Sequence, residues 1–543
     1  MRRWSSGWVR PLTTVPSGLT RRQLLRRAGV ASAGLLGAGA ITRLPWDTAE
    51  AAGAATATDY ADLAAQLTGT LVLPSDPSYA TARLAWNTIY DSRYPQAVVR
   101  AATAHDVQVA INFARDLGLH PIARAGGHSF QGYSTGSGLI IDVAGLNEVT
   151  MNAGRTHARI GAGTNLLRVY GVLGQRGMAI PGGSCPTVGI SGLAQGGGIG
   201  PFTRQYGLTL DRMIGAQIVA ANGRLLRVNA RENADLFWAI RGGGGGNFGV
   251  VTAFDFAPIP ATATNTSVSL TFPWRHAEHV MLVFQQWVPT VPLNAHPGMT
   301  VRTTTAAPGA RPETAVSLWH RGTRSECMAL VNDFIREVGV RPTSRSVDSG
   351  RFFDVEFDEC CAGLTLEQCA MADRDPGGTI PRVGIATYSE ITRRAWPASG
   401  VAALLDQIER HQQSTVLQPP GVPNGLQTGK VIIEPVNGVA GRVSPTATAF
   451  PHRGCFLTMQ YQARVPQGAS PDLVAASQEW LDGLYARLSP WRTGQEYSNY
   501  GNRRLKGWAG AYYGQNLPRL RGIKARCDPG NLFRFAQSIP PAA

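Results

Sequence analysis

Residues Pro121 to Asp142 read P-I-A-R-A-G-G-H-S-F-Q-G-Y-S-T-G-S-G-L-I-I-D. Ala125-Gly126-Gly127-His128-Ser129 has almost no side-chain bulk apart from His128. Such a segment lets several backbone N–H groups turn toward one anion, as in a nest. The unbroken apolar run Leu139-Ile140-Ile141 predicts a buried strand, and His120-Pro121-Ile122-Ala123 leads in as another. The unit is strand–loop–strand, which excludes the strand–turn–helix of a Rossmann site. A formal G-x-G-x-x-G at Gly244–Gly249 has no acidic residue about 20 positions on, so it reads as accidental. Taken alone, the histidine loop reads equally as a surface turn.

Two further blocks decide between these readings. Gly182-Gly183-Ser184-Cys185-Pro186-Thr187-Val188-Gly189 runs on through Gly192 to Gly196-Gly197-Gly198. Leu236-Phe237-Trp238-Ala239-Ile240-Arg241 then precedes a glycine run and Asn247-Phe248-Gly249-Val250-Val251-Thr252. Together the three blocks resemble FAD-linked oxidases of the vanillyl-alcohol oxidase superfamily, specifically the berberine-bridge-enzyme-like branch with its PCMH-type FAD-binding domain. The resemblance covers nearly the whole chain after residue 60.

The resemblance implies FAD held by two covalent tethers. In the family, the histidine of the R-x-G-G-H segment bonds to the flavin 8α-methyl, which is His128 here. The cysteine of the G-x-C-P-T-V-G segment bonds to flavin C6, which is Cys185 here. The same segments carry over as cofactor-binding positions Arg124, Ala125, Gly126, Gly127, Ser129, Gln131, Gly132 and Asp142. The second segment adds Gly183, Thr187, Val188, Gly189, Gly192, Gly197 and Gly198. Gly249 and Val251 are placed along the adenine end. Arg124 is a candidate for charge at the pyrophosphate or the flavin ring, or alternatively forms a salt bridge; Asp142 is a site residue or a turn cap. The Val188 position lies near the oxygen-reacting edge, where a small side chain leaves room for O2.

Tyr497-Ser498-Asn499-Tyr500 resembles the Y-x-N-Y segment that lies near the flavin in this family, which adds Asn499 and Tyr500 to the cofactor contacts. A tyrosine titrating near pH 10 is a poor base at neutral pH. A neighbouring cation or hydrogen-bond donor would depress that value and make a tyrosinate the base. Tyr497 and Tyr500 both remain candidates, with Tyr133 behind them. Family members often carry an acid after this segment, whereas Gly501-Asn502-Arg503-Arg504 follows here. Thr458, Gln460 and Gln462 alternate onto one face of a strand from Cys455 to Ala463. In the family the Gln460 position points from the sheet at the flavin.

The chain carries a net charge of +15, nearly all from arginine. The arginines are scattered, with no basic run outside the N-terminus, so a nucleic-acid partner is not expected. Neither is a metal. Thr20-Arg21-Arg22-Gln23-Leu24-Leu25 is a twin-arginine pattern, followed by the small apolar run Ala28–Ile41 and an A-x-A-like site at Ala49-Glu50-Ala51. Residues 1–51 therefore read as a twin-arginine signal peptide, with secretion of the mature chain and no stable membrane span in it. There are seven cysteines: Cys185, Cys327, Cys360, Cys361, Cys369, Cys455 and Cys527. Setting Cys185 aside leaves an even set for bridges. Adjacent Cys360 and Cys361 would each pair elsewhere, with Cys369 a partner for one.

Helices are predicted over Tyr60–Leu67, Thr103–Asp116, Leu236–Arg241, Glu278–Trp287 and Cys327–Val338 from apolar spacing. Strands are predicted over Pro95–Arg100, Ile214–Ala220, Arg224–Val228, Ser267–Phe272 and Ala315–Trp319, with Asn222-Gly223 as a hairpin turn. Gly350–Thr379 is acidic and reads as loop-rich. The expected fold class is α+β: a two-part FAD-binding domain and a substrate domain whose antiparallel sheet is covered by helices. The expected bounds are 58–257 for the FAD-binding domain, 258–494 for the substrate domain, and 495–540 for a C-terminal return to the flavin domain.

The expected activity is oxidation of a hydroxyl-bearing small molecule, with O2 reduced to H2O2. A sugar or oligosaccharide ranks first and a secondary metabolite second. A dehydrogenase with another acceptor, or a flavin-binding protein without significant turnover, stands as the alternative. Oligomeric state is left open.

Overall fold

The computed structural model describes residues 55–543 apart from 262, 362, 363, 366, 372, 373, 375, 376 and 424, and without the side chains of 357–360. The expected signal peptide and the Cys360 side chain lie outside the described residues.

A first, four-stranded sheet is built from β1 (Thr70–Val72), β2 (Ala97–Arg100), β3 (Pro121–Arg124) and β4 (Leu139–Asp142), in the order β1-β2-β4-β3. β4 runs parallel to β2 and β3 and is buried along its whole length, which is why its sequence is apolar without alternation. Between β2 and β3 runs the helix Ala104–Asp116. Thr103 and Asp106 form a reciprocal cap at its start, and Val107, Ala110, Ile111 and Ala114 are its buried face. Gly118 follows in the left-handed region, at φ +67°, as a helix stop requires.

The second sheet joins β5 (Val149–Met151), β6 (Ala158–Gly161), β7 (Met213–Val219), β8 (Leu225–Asn229) and β9 (Val250–Phe256), all antiparallel, in the order β5-β6-β9-β7-β8. β7 and β8 are the predicted hairpin, with Gly223 at φ +75° in its turn. One apolar core serves both sheets, including Val99, Ile141, Ile160, Ile218 and Phe254.

The third sheet is seven-stranded and antiparallel throughout. Its strands are β10 (Asn265–Phe272), β11 (Ala295–Arg302), β12 (Glu313–Arg321), β13 (Ser344–Gly350), β14 (Gly384–Thr392), β15 (Gly429–Pro435) and β16 (Leu457–Val465), in the order β13-β10-β12-β11-β15-β16-β14. Alternate residues such as Val431, Ile433, Met459 and Tyr461 point to one face. There they meet Phe284, Phe334, Leu404, Ile408 and Leu481 from the helices Ala277–Trp287, Arg324–Val338, Ala398–Gln413 and Pro471–Arg487. The opposite residues, Lys430, Ile432, Glu434, Gln460, Gln462 and Arg464, line a cleft. After the third sheet, Tyr512, Tyr513, Leu520, Ile523 and Phe533 pack into the core of the first two sheets.

Two expectations are corrected. The segment read as loop-rich contains the helix Phe352–Cys361, and Phe352 packs against Tyr170 and Phe202 at ring distances of 5.1 and 4.5 Å. Its apolar residues Phe352, Phe353 and Val355 alternate with acidic neighbours, which hid the helix in the sequence. The even set of cysteines yields a single bridge among the described residues, Cys361–Cys369. Cys327, Cys455 and Cys527 are free thiols. Gly244–Gly249 lies between the helix Ala234–Ala239 and strand β9, the reverse of a Rossmann turn.

Candidate active site

A cleft of about 490 Å³ lies between the glycine loops of the first two sheets and the uncovered face of the third. His128 and Cys185 both reach it. His128 Nε2 lies 2.8 Å from Thr187 Oγ1, and Cys185 Sγ lies 3.8 Å from the same oxygen. Cys185 is exposed on the cleft wall. The His128 ring is stacked on Trp86 at 4.5 Å, with 18° between the planes. Desolvation, reinforced by the positive charge of Arg374, holds the His128 imidazole down at about 3, so it is neutral at any ordinary pH. A neutral imidazole keeps a nitrogen lone pair, which both nucleophilic attachment and hydrogen bonding need.

The loop is braced from behind. Arg124 Nε donates to Asp142 Oδ2 at 2.9 Å, and its remaining nitrogens donate to the carbonyls of Ala82 and Leu84. Asp142 also accepts from Arg374 at 2.9 Å and from the Ala144 N–H at 2.9 Å. Arg374 in turn donates to the carbonyls of Gly126 and Ala125, at 2.7 and 2.9 Å. Of the two readings left open, the Arg124 guanidinium therefore takes the salt bridge, and Asp142 is a buried anchor between two cations. Carbonyls bound to Arg374 cannot turn inward, so the loop is fixed in orientation.

The glycines divide into two groups. Gly126 and Gly189 touch: a Cβ on Gly126 would lie 2.4 Å from the Gly189 nitrogen. That contact brings the His128 and Cys185 segments together. Gly127, Ser129, Gly183, Val188, Gly192, Gly249 and Val251 line the cleft with them. Gly132, Gly197 and Gly198 do not. Gly132 sits against the Tyr90 ring, and Gly197 against Tyr497. The Gly198 N–H donates to Tyr497 Oη at 2.7 Å. These three glycines pack beside the cleft, two of them against the tyrosine.

The first and last motifs meet directly. Gln131 Nε2 donates to the Ser498 carbonyl at 2.9 Å, and Asn499 Nδ2 donates to Tyr497 Oη at 2.8 Å. Tyr497 Oη thus accepts two hydrogen bonds, which favour a tyrosinate. Burial opposes them more strongly, and the net effect raises this phenol above its ordinary value. Tyr500, whose ring is 4.8 Å from that of Tyr497, is likewise raised by burial and then by the negative charge of Glu434. No cation offsets either. The expected resting tyrosinate is therefore not favoured: burial raises both phenols, and the negative charge of Glu434 opposes ionisation of each.

Glu434 was not singled out by its sequence context. It stands on β15 beside Thr458 of β16, with its side chain 24% exposed on the cleft and 3.8 Å from His296 Nε2. Gln460 faces the cleft two residues along from Thr458, and its carbonyl accepts from Gln462 Nε2 at 2.9 Å. Tyr133 lies on the cleft wall with its ring 4.5 Å from Phe535. Arg503, standing where relatives often carry an acid, lies over the Tyr90 and Tyr133 rings at 5.7 and 5.9 Å.

The residues fit FAD. Tyr133 Oη, Ser134 Oγ and Gln460 Nε2 are buried at the cleft with no protein hydrogen-bond partner, a state that otherwise costs about 1–3 kcal/mol each. A Cβ on Gly192 would meet nothing within 4 Å, so its cleft wall is open space. Among the described residues there is no group of three or more metal-ligating side chains. No described helix is long and apolar enough to cross a membrane.

Residues 95–229 match the family described as an FAD binding domain, and residues 496–540 match berberine and berberine-like proteins. The FAD-linked oxidoreductase YgaK of Bacillus subtilis (strain 168) is 30% identical over 497 residues, which cover 88% of this chain and 98% of that one. Tetrahydroberberine oxidase of Berberis wilsoniae is 26% identical over 481 residues, covering 82% of this chain and 85% of the relative. The structure of BBE-like 1 from Physcomitrella patens superposes with a TM-score of 0.78 at 26% identity, covering 89% of this chain and 99% of that one. Fold and cleft together define an FAD-linked oxidoreductase. Within that class, the chain belongs to the berberine bridge enzyme-like family.

Proposed function

We propose that this protein is an exported oxidase that carries FAD on both His128 and Cys185 and oxidises a carbohydrate hydroxyl to a carbonyl. The observation that carries the reading is the meeting of His128 and Cys185 at Thr187 Oγ1, on the wall facing Tyr500, Glu434 and Gln460. Bound there, FAD would supply the hydride acceptor and a route for the electron pair to O2. Over a turnover one C–H and one O–H bond of the alcohol break, a C=O bond forms, and both hydrogens and the electron pair end in H2O2.

The chain's own residues place the hydroxyl and take its proton. The Gln460 amide N–H is free to hold a substrate oxygen. Tyr500 Oη hydrogen-bonds the reacting hydroxyl and passes its proton on to the Glu434 carboxylate, so no resting tyrosinate is required. Tyr497 is positioned by the Gly198 and Asn499 donors and fixes the Tyr500 ring by edge contact, at 76° between the planes. An open cleft suits a sugar or oligosaccharide better than a compact apolar compound, since its substrate wall carries Lys430, Glu434, Gln460, Gln462 and Arg464. The twin-arginine pattern at Thr20–Leu25 supports export.

The test is to precipitate the purified protein in acid and map the yellow peptides, then to follow oxygen uptake and peroxide on a sugar panel. Flavin on peptides holding His128 and Cys185, with peroxide matching oxygen consumed, is the expected result. Flavin released freely overturns the tethers. Sugar oxidation with a dye acceptor but without peroxide makes the protein a dehydrogenase.

A further inference from the structure

The cleft face of the third sheet is charged in an ordered way. β15 contributes Glu434, Ile432 and Lys430 in sequence, and β16 contributes Gln460, Gln462 and Arg464 beside them. Glu434 is level with Thr458, and Lys430 is level with Gln462. The carboxylate therefore marks one end of the wall, next to Tyr500, and the two cations mark the other. Four residues of strand separate Glu434 from Lys430, roughly 13 Å at about 3.3 Å per residue.

Among the described residues neither cation has an acidic partner in contact. Arg464 Nε is buried with no hydrogen-bond partner. Arg302, next to Lys430 across the β11–β15 ladder, is taken by Glu313 at 3.0 Å. Arg374 is taken by Asp142. Burial and the positive charges of Arg464 and Arg302 push the Lys430 ammonium down to about 8, with Glu434 the opposing charge. Burial alone lowers Arg464. Two half-buried cations side by side on one wall, without an acidic partner among the described residues, repel each other unless an anion joins them.

Resting on the carbohydrate-oxidase reading above, we propose that the substrate is an acidic sugar whose carboxylate sits between Lys430 and Arg464 while its reacting hydroxyl lies at Tyr500 and Glu434. The separation of the two ends selects a ligand longer than one monosaccharide. Glu434 works in the same direction, because it repels a carboxylate from the reacting end and so sets which way round the sugar lies. Gln460 and Gln462 lie between the two ends and hydrogen-bond the neutral hydroxyls.

The experiment is calorimetric titration of the purified flavoprotein with a galacturonic acid disaccharide and, separately, with the neutral galactose disaccharide. The acidic sugar is expected to bind about tenfold tighter or better, as one or two charge-assisted hydrogen bonds give. The preference is expected to shrink as salt is raised. Lys430→Met and Arg464→Met are each expected to close most of the gap between the two sugars with flavin content unchanged. Lys430→Arg, which keeps the charge, is expected to retain the gap and guards against a folding artefact. Equal binding of the two sugars, binding of neither, or a gap that survives both methionine variants overturns the proposal. Because heat of binding is read rather than turnover, a protein that fails to oxidise sugars fails the oxidase reading and still reports on the carboxylate site.

Discussion

His128 and Cys185 come from separate segments and meet at one hydroxyl: Thr187 Oγ1 is 2.8 Å from the imidazole and 3.8 Å from the thiol. The contact exists because Gly126 and Gly189 let their backbones touch. Thr187 thus sets the spacing of two groups that are proposed to hold one ring.

Replacing a single tether is expected to leave flavin bound through the other. His128→Ala and Cys185→Ala each retain acid-stable colour, and the double variant releases all of it on acid precipitation. Thr187→Val is expected to keep both side chains yet lower the doubly attached fraction, read by peptide mass mapping.

Tyr500→Phe removes the proposed proton relay without removing packing. Turnover is expected to fall about a hundredfold or more, as loss of a general acid–base group does, with flavin content unchanged. Glu434→Gln is expected to do the same. An active Tyr500→Phe variant would show that another group takes the proton.

Tyr497→Phe acts differently. It strands the Gly198 N–H and the Asn499 amide, both of which point at the lost oxygen. A loss of about 1–3 kcal/mol in stability is expected, visible as a lower melting temperature, together with a raised KM as Tyr500 loosens.

Glu390 gives a pH signature. Its carboxyl is buried on β14, and desolvation pushes it up to about 7. An acid raised in the folded state binds more protons there than in the unfolded chain between the ordinary carboxylate range and pH 7. Stability from this group is therefore present at low pH and is lost as pH rises through 7, by about 3 kcal/mol in full. The buried His411 and His452, held down at about 3 and 4, act with the opposite sign below the ordinary histidine range. The reading is therefore the difference in melting temperature between wild type and Glu390→Gln, which is expected to move in favour of the variant as pH rises from the ordinary carboxylate range through 7 and to level off above it.

Asp142→Asn leaves Arg124 and Arg374 buried with a weakened partner. Breaking a buried pair by removing one charge costs about 3–5 kcal/mol. The variant is expected to lose both stability and flavin, read by thermal unfolding and by colour after purification.

Much of this was legible in the sequence wherever an element is governed by its own residues. Helix Ala104–Asp116 is set by its cap and its apolar stripe, and β4 by an unbroken apolar run. The cleft face of Gln460 follows from strand alternation once the strand is found. Trp86, Arg374, Glu434, Lys430 and Arg464 were invisible because each reaches the site from a distant element. Nothing near Arg374 in the chain indicates that it will bind carbonyls at Gly126 and Ala125. The phenols were misjudged for a related reason: burial and a facing carboxylate are properties of assembled walls, and motif spacing does not report them.

The clamp on the histidine loop has a consequence for the life of the chain. Arg374 follows Gly126 by 248 positions, and Ser498 follows Gln131 by 367. A nascent chain emerges from its N-terminal end, so the glycine loop is made long before the residues that aim it. His128 has no fixed neighbourhood until nearly all of the protein has been synthesised. The proposed cofactor attachment would therefore be among the last events of maturation, and a chain cut short between Gly198 and Arg374 would carry both tether segments and is expected to emerge colourless.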